Sequence, residues 1–281
     1  MAAFQPFSLN LKGRLVRFNR PAVMGIINVT PDSFYAGSRT SERETIEKRV
    51  TQMIAEGAEM IDLGGYSSRS GADEVPVEEE KRRLKLGMEI IREHSADIPV
   101  SIDTFRADVA RSAIEEYGAD IVNDISGGLL DSEMIPTVAS MHVPYILMHM
   151  RGTPETMQQL TDYEPDGVTA VTLRELGLQL DKAAGAGIAD VIIDPGFGFA
   201  KTLDQNYRLM ADLEAFKVLG CPVLVGISRK SMITRLLGIT SEEALNATTV
   251  LNTLSLDRGA GILRVHDVKA AREAVDIFMK L

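Results

Sequence analysis

The chain has 281 residues, 45% of them hydrophobic, and a formal net charge of −10 at pH 7. A nucleic-acid or anionic-membrane surface is not expected, because binding to phosphate-rich partners depends on an excess of Lys and Arg. The length suits one domain with a large core. The single cysteine leaves no intrachain disulfide, and neither a secretory leader nor an apolar stretch of about 18 residues is recognisable. We expect a soluble, cytoplasmic protein.

Eight short apolar runs recur along the chain, and each ends on a polar or ionisable residue. In chain order they are Ala22–Asn28, Met60–Asp62, Pro99–Asp103, Ile121–Asp124, Pro144–His149, Val191–Asp194, Pro222–Ser228 and Ile262–His266. Such runs are typical of parallel strands buried on both faces. Alternating with helices, they predict an α/β fold, a single (β/α)8 TIM barrel over residues 1–281. The polar ends would then meet at the carboxyl face, where barrels place their chemistry.

Helix-like segments lie between the runs, with apolar residues three and four positions apart. They are Ser41–Glu56, Val77–His94, Arg106–Tyr117, Asp131–Met141, Gly167–Ala186, Leu203–Leu219, Ser241–Asp257 and Asp267–Lys280. Ser41 and Glu44 have the spacing of a capping box, and Gly57 predicts the end of the first helix. For the first 20 residues, a short N-terminal extension, we predict a small hairpin that closes the barrel floor.

Two connections are richer in Gly, Ser and Pro than the rest. Thr30–Thr40 follows the first strand and Gly64–Pro76 follows the second. Long loops at the carboxyl face of a barrel often cover the site, so both are candidate lids.

The polar residues at the strand ends are the main candidates for chemistry: Asn28, Asp62, Asp103, Asn123, Asp194 and Lys230. Each alone is more often a local hydrogen-bonding residue, but a barrel brings all of them to one cavity. Asp and Asn side chains can pair with the N–H and ring-nitrogen edge of a heterocycle. Zinc-type Cys/His spacing is missing from the sequence, so a tightly held transition metal is not expected.

The last two strands predict an anion site. Gly226–Ser231 leads into a helix, and Arg264 and His266 follow the eighth strand. Phosphate sites in barrels commonly form from the loops after strands seven and eight. The alternative is that Arg229 and Lys230 are ordinary solvated charges.

Two apolar side chains are candidates for contact with a flat ligand. Phe199 follows two loop glycines and could form an apolar wall. Met148 could lie against the same ligand, although a methionine at such a position is more often part of the core.

Seven motifs resemble those of dihydropteroate synthases, in the same order and over nearly the whole chain. They are Asn28–Phe34, Ser101–Thr104, Ile121–Asp124, Met148–Pro154, Asp194–Lys201, Ser228–Lys230 and Arg264–Val268. The resemblance implies a transferase of folate synthesis that joins p-aminobenzoate to 6-hydroxymethyl-7,8-dihydropterin diphosphate and releases diphosphate with the help of Mg²⁺. It also implies a homodimer.

The resemblance assigns roles by position. The pterin would contact Asp103, Asn123, Asp194, Lys230, Met148 and Phe199. The diphosphate would contact Asn28, Arg264 and His266, with Ser68 and Arg69 as further contacts, and Asn28 would also lie near Mg²⁺. Ser231 would receive the carboxylate of p-aminobenzoate. Catalysis would depend on Asp194, Lys230, Arg264 and His266, with Asp194 stabilising positive charge on the pterin.

Three residues depart from the family pattern. Ala36 occupies a position that is usually acidic, Tyr66 replaces a Glu in the second loop, and Ser70 replaces a Pro that borders the p-aminobenzoate pocket. Two other functions therefore stay open. One is a methyltransferase that passes methyl from methyltetrahydrofolate to a corrinoid protein, which should lack the anion residues after the last two strands. The other is a non-catalytic pterin-binding paralogue, which has no need to keep them.

Overall fold

Parallel strands alternate with helices in the computed structural model, which describes residues 4–29, 39–66 and 75–281, with the backbone alone for 39–42. The strands are β1 (Phe7–Leu11), β2 (Arg14–Phe18), β3 (Ala22–Asn28), β4 (Met60–Gly64), β5 (Val100–Asp103), β6 (Ile121–Asp124), β7 (Tyr145–Met148), β8 (Val191–Asp194), β9 (Leu224–Val225) and β10 (Ile262–Val265). The helices are α1 (Arg39–Ala55), α2 (Val77–His94), α3 (Ala107–Glu115), α4 (Met134–Met141), α5 (Val168–Gly185), α6 (Leu203–Ala211), α7 (Ser231–Leu237), α8 (Leu245–Asp257) and α9 (Val268–Phe278). Short 3₁₀ helices span Met157–Gln159 and Leu213–Leu219.

The parallel sheet closes on itself. Its strand order is β8-β7-β6-β5-β4-β3-β10-β9, and a parallel bridge between Ile193 and Val223 joins the two ends. The register sets Asp103 beside Asn123 and Met148 beside Asp194, so side chains at the carboxyl ends of neighbouring strands lie next to one another. The predicted (β/α)8 TIM barrel is confirmed.

The barrel interior changes from apolar to polar along the strands. Its lower layer is formed by Ala22, Met24, Met60, Ile121, Ile146, Ile192, Leu224 and Ile262. Alternate residues of a strand point to the same side, so the inward residues two positions further along are Asp62, Asn123, Met148, Asp194, Gly226 and Arg264. The polar side chains are therefore held at the carboxyl face by a rigid apolar base.

The predicted hairpin closes the floor of the barrel. β1 and β2 pair antiparallel, and their Leu9 and Leu11 pack into the lower apolar layer. The backbone N–H of Asn10 donates to Asp190 at the start of β8 at 2.7 Å, which ties the hairpin to the barrel wall.

The helix predictions need two corrections. The described part of α1 begins at Arg39, so Ser41 lies inside the helix and the predicted cap position was wrong. Segment 203–219 divides into α6 and a 3₁₀ helix. The end at Gly57 is confirmed, because Gly57 has a φ of 88° and its N–H donates to Ile54. Across the described ranges, none of the helices combines the length and hydrophobicity of a transmembrane span.

Candidate active site

A charged cluster fills the polar end of the barrel interior. The guanidinium of Arg264, on β10, donates to Asp62 of β4 at 2.6 Å and to Asp103 of β5 at 2.7 Å. The amide of Asn123, on β6, donates to both carboxylate oxygens of Asp62 at 3.2 Å. Asp62 is completely buried. The fold thus brings together three residues from separate sequence motifs, Asp103, Asn123 and Arg264, and places Asp62 among them.

Burial and charge shift the titration of this cluster. Burial raises the pKa of Asp103, although Arg264 opposes the rise, and the charge of Asp62 adds to it. Burial alone would lower the pKa of Arg264, but Asp62 and Asp103 outweigh that effect and raise it above its usual value. Arg264 is therefore a permanent cation that balances two carboxylates.

Asp194 and Lys230 form the adjacent part of the site. Asp194, at the end of β8, accepts the N–H of Gly196 at 2.8 Å, and burial raises its pKa while Lys230 opposes the rise. The ammonium of Lys230 donates to the carbonyl of Phe197 and lies 4.6 Å from the ring centroid of Phe199. Burial lowers the pKa of Lys230 to about 8, against the effect of Asp194.

Two glycines leave room between these charged groups. A Cβ atom at Gly226 would lie 3.8 Å from Arg264 and 3.9 Å from a carboxylate oxygen of Asp194. A Cβ atom at Gly64 would lie 3.2 Å from Oδ1 of Asn28 and 3.6 Å from Asp103. A larger residue at Gly226 or Gly64 would narrow the space between the side chains at the ends of the strands.

His266 lies two residues after Arg264 along the chain and is anchored by Ser228. Its backbone N–H donates to Ser228 Oγ at 3.1 Å, and its Nδ1 lies 3.0 Å from the same oxygen. A hydroxyl donates one hydrogen bond and can accept two, so Ser228 Oγ can pair with Nδ1 in either neutral tautomer of the ring. Burial and Arg264 lower the pKa of His266 to about 4, so the ring is neutral at pH 7.

Arg229 does not belong to the anion site suggested by the sequence. Its guanidinium donates to both carboxylate oxygens of Asp267, at 2.9 and 2.8 Å, and to the carbonyls of Ser241 and Glu242. The next residue, Lys230, points to Asp194 instead. Arg229 therefore fixes the loop that presents Lys230, and it is not an ordinary solvated charge.

An apolar wall borders the polar cluster. Met148 is 4% exposed and packs in one group with Ile125, Met150, Met157 and Ala200, against which Phe105, Leu130 and Phe199 also pack. Met148 is thus part of a small core and, at the same time, neighbours Asp194 across the strand pair. The core interpretation of Met148 is confirmed, and its contact with a ligand stays a prediction.

Several predicted residues lie at the edge of the described site or outside it. Ser231 is the first residue of α7 and is exposed. Ser68, Arg69, Ala36 and Ser70 lie outside the described residues. Tyr66 packs edge-on against Phe105 with ring centroids 5.3 Å apart, and the guanidinium of Arg106 lies 5.3 Å from its ring centroid.

Sequence reasoning missed a buried group behind Asp194. Lys201 is 4% exposed and lies 3.0 Å from His149 Nδ1, and His149 Nε2 lies 2.8 Å from Glu175 on α5. Burial lowers the pKa of Lys201 to about 7, against the effect of Asp194. Lys201 and His149 stood in recognisable motifs, but Glu175 lies on a helix and carried no signal in the sequence.

The oxygen atoms that the protein offers suit a Mg²⁺ ion held mainly by water and by substrate phosphates. Within the described residues there is no group of three His, Cys, Asp or Glu that could hold a metal ion. The Oδ1 atom of Asn28 lies on the side of Gly64 where a side chain is missing, 3.2 Å from the position of a Cβ atom there. Mg²⁺ usually keeps several waters and binds one or two protein oxygens together with substrate phosphates, so one amide oxygen suits this ion.

Comparisons with known proteins agree with the geometry. The profile of the family described as "Pterin binding enzyme" matches residues 24–266. Dihydropteroate synthase of Escherichia coli K12 is 40% identical over 268 residues, which cover 95% of this chain and 93% of that protein. The structure of Xanthomonas albilineans dihydropteroate synthase with 4-aminobenzoic acid superposes with a TM-score of 0.89 at 38% identity and covers 97% of both chains.

A second structure of the Xanthomonas albilineans enzyme, in complex with 7,8-dihydropteroate, superposes with a TM-score of 0.85 at 37% identity and covers 97% of this chain and 98% of that one. The motif order, the barrel and the near-complete coverage of the relatives all lead to the same assignment. This chain belongs to the dihydropteroate synthases, within the pterin-binding enzyme family.

Proposed function

We propose that this chain condenses 6-hydroxymethyl-7,8-dihydropterin diphosphate with p-aminobenzoate to give 7,8-dihydropteroate and diphosphate. The observation that carries the proposal is the row of side chains on neighbouring strands at one end of the barrel. Asp103, Asn123, Asp194 and Lys230 supply hydrogen-bonding groups to the same cavity, and Met148 supplies an apolar face. A flat heterocycle with donors and acceptors along its edge matches this arrangement.

Asp194 would act on the pterin during the reaction. Departure of diphosphate leaves positive charge on the pterin methylene group, and a carboxylate in a cavity with little water stabilises that charge. The Gly196 N–H at 2.8 Å fixes the orientation of the carboxylate before the substrate arrives. The arylamine of p-aminobenzoate is already a neutral nucleophile, so no strong base is needed for its attack.

Arg264 and His266 would act on the leaving diphosphate in different ways. Arg264 is a cation at any physiological pH and supplies charge. The ring of His266, which burial keeps neutral, would supply a hydrogen bond to the diphosphate without adding charge. Mg²⁺, when bound beside Asn28, would neutralise part of the diphosphate charge.

We also propose that the chain forms a homodimer. Leu236 and Leu237 at the end of α7 are 54% and 53% exposed, and Val250 and Leu254 on α8 are 52% and 38% exposed. Val250 and Leu254 are four residues apart and so share one face of the helix. Light scattering after size-exclusion chromatography should give about twice 30.7 kDa, and a monomer at micromolar concentration would reject this part of the proposal.

The decisive experiment is a turnover assay of the purified protein. Diphosphate release should require Mg²⁺, the pterin diphosphate and p-aminobenzoate together, and dihydropteroate should appear in equal amount. Omission of each component in turn gives the controls.

The two other candidate functions predict different outcomes. A non-catalytic paralogue would bind the pterin without releasing diphosphate. A methyltransferase would release none and would instead demethylate methyltetrahydrofolate in the presence of a corrinoid protein. Either result would overturn the proposed reaction.

A further inference from the structure

The loop that follows β8 has an unusual backbone. Between Asp194 and Lys201 the chain adopts left-handed conformations at Gly196, Gly198 and Ala200, with φ of 71°, 83° and 51°. The value at Ala200 is costly for a residue with a side chain. This loop presents Asp194 at one end and Phe199 near the other, so surrounding contacts must hold it in shape.

Lys201 supplies those contacts from below the loop. Its ammonium donates to the carbonyl of Gly196 at 3.0 Å and to the carbonyl of Phe199 at 3.1 Å, and it lies 3.0 Å from Nδ1 of His149. An ammonium group has three donors and no acceptor. All three donors are therefore used, two of them on the loop itself.

His149 connects this lysine to a carboxylate. When Lys201 is protonated, its ammonium can only donate, so Nδ1 of His149 accepts and the ring proton lies on Nε2, which donates to Glu175 at 2.8 Å. Glu175 is held in turn by the guanidinium of Arg151 at 2.5 Å. The buried charge of Lys201 is thus balanced through a neutral imidazole and not by direct contact with a carboxylate.

The same group of side chains also contacts the loop at Ala200, through Arg151 and Tyr163. The guanidinium of Arg151 lies 4.2 Å from the ring centroid of Tyr163, and the hydroxyl of Tyr163 donates to the carbonyl of Ala200 at 2.9 Å. Asn206, on α6, accepts the N–H of Gly198 at 2.6 Å. The side chains of Lys201 and Tyr163 therefore bind the loop carbonyls at three positions, which are Gly196, Phe199 and Ala200.

We propose that Lys201, oriented by His149 and Glu175, is a positioning residue that holds the loop so that Asp194 and Phe199 meet the pterin. The inference rests on the proposed function, because it takes these two residues as pterin contacts. Lys201 itself touches no reacting atom, and its role is exerted through the backbone carbonyls of Gly196 and Phe199. Its positive charge also favours the ionised form of Asp194.

The test compares Lys201→Met with Lys182→Met, a change of an exposed lysine on α5. We expect Lys201→Met to raise the KM for pterin diphosphate and the Kd of a pterin analogue by about tenfold or more, the scale of one lost charge-assisted hydrogen bond. The KM for p-aminobenzoate at saturating pterin should change much less. Lys182→Met should behave as the wild type.

A second pair of variants separates positioning from general stability. His149→Asn keeps an acceptor near the place of Nδ1, whereas His149→Leu does not. We expect pterin affinity to be closer to the wild-type value in His149→Asn than in His149→Leu, and this pair decides the question if Lys201→Met does not fold.

These experiments separate failure of the positioning role of Lys201 from failure of the proposed synthase function. If the wild type turns over and folded Lys201→Met binds the pterin analogue with unchanged affinity, the positioning role is rejected and the synthase activity stands. Equal affinities in the two His149 variants would reject the role of the imidazole acceptor. Absence of turnover in the wild type would reject the proposed function itself.

Discussion

Arg264 and Asp62 form an ion pair at 2.6 Å across the barrel interior, although they are 202 residues apart in the sequence. The carboxylate is completely buried, and the guanidinium is also shared with Asp103. The charge expected to receive diphosphate is therefore already balanced by the protein. An incoming anion would compete for a cation that also stabilises the fold.

Arg264→Ala should destabilise the protein. The change leaves two buried carboxylates without their cation, and breaking a buried pair from one side costs about 3–5 kcal/mol. Urea unfolding should show this loss, and adding Asp62→Asn should recover part of it because one uncompensated charge is removed. Arg229→Ala is the control, since its pair with Asp267 is about one-quarter exposed on both sides and should cost less. Equal losses for the two arginines would contradict this account.

Diphosphate inhibition should depend on Arg264 and not on Arg229. Arg264→Ala removes the cation nearest to the expected leaving group, so we expect the inhibition constant of diphosphate to rise by about tenfold or more. The assay should be run at a temperature where the variant is folded by circular dichroism. An unaltered constant would place the anion elsewhere.

Asp194→Asn should weaken pterin binding by about 1.5–3 kcal/mol, because the amide offers one acceptor where the carboxylate offers two and carries no charge. Calorimetric titration with a pterin analogue measures the change. Asp190→Asn is the control. Asp190 lies just before the other end of the same strand, where it accepts the N–H of Asn10, so its change should leave the affinity unchanged. Equal affinities in the wild type and Asp194→Asn would contradict the assignment of Asp194 as a pterin contact.

Gly196→Ala should be far more damaging than Gly220→Ala, although both glycines have a φ near 70°. A Cβ atom at Gly196 would lie 1.9 Å from the carbonyl oxygen of His149, whereas one at Gly220 would have nothing within 4 Å. We expect Gly220→Ala to cost about 1–2 kcal/mol for its backbone conformation. Gly196→Ala should cost about 3 kcal/mol or more, because a clash is added. Similar unfolding midpoints for the two variants would show that the loop can move away from β7.

Stability should fall as the pH is lowered from about 6.5 to about 4, in part because of His149. Burial and Lys201 lower its pKa from 6.5 to about 4. Over that window the unfolded chain binds a proton that the folded protein does not, so the free energy of unfolding rises with pH. The effect is on the order of 3 kcal/mol when complete.

His149→Gln isolates this contribution. Between pH 6.5 and pH 4 the urea midpoint of the variant should depend less on pH than that of the wild type. The pKa of His266 is lowered as well, but this residue is present in both proteins and contributes equally to both profiles. Parallel pH profiles for the variant and the wild type would exclude His149 as a source of the acid sensitivity.

The barrel and the positions of most candidate residues could be predicted from local sequence patterns. Asp103, Asn123, Asp194 and Arg264 were identified because each lies at the end of an apolar run, and a parallel barrel brings the carboxyl ends of its strands to one face. The motifs also identified the family. None of this required knowledge of which strands are neighbours.

The pairing of these groups depends on contacts between distant parts of the chain. Arg264 meets Asp62 and Asp103 because β10 pairs with β3, which brings it to within one strand of β4 and two strands of β5, a relationship that local patterns do not contain. The adjacent residues Arg229 and Lys230 look alike in the sequence, yet one fixes a loop and the other faces Asp194. Glu175 joins the site through helix packing alone. Long-range contacts, and not local propensity, select the partner of each charge, because burial makes every unpaired charge costly.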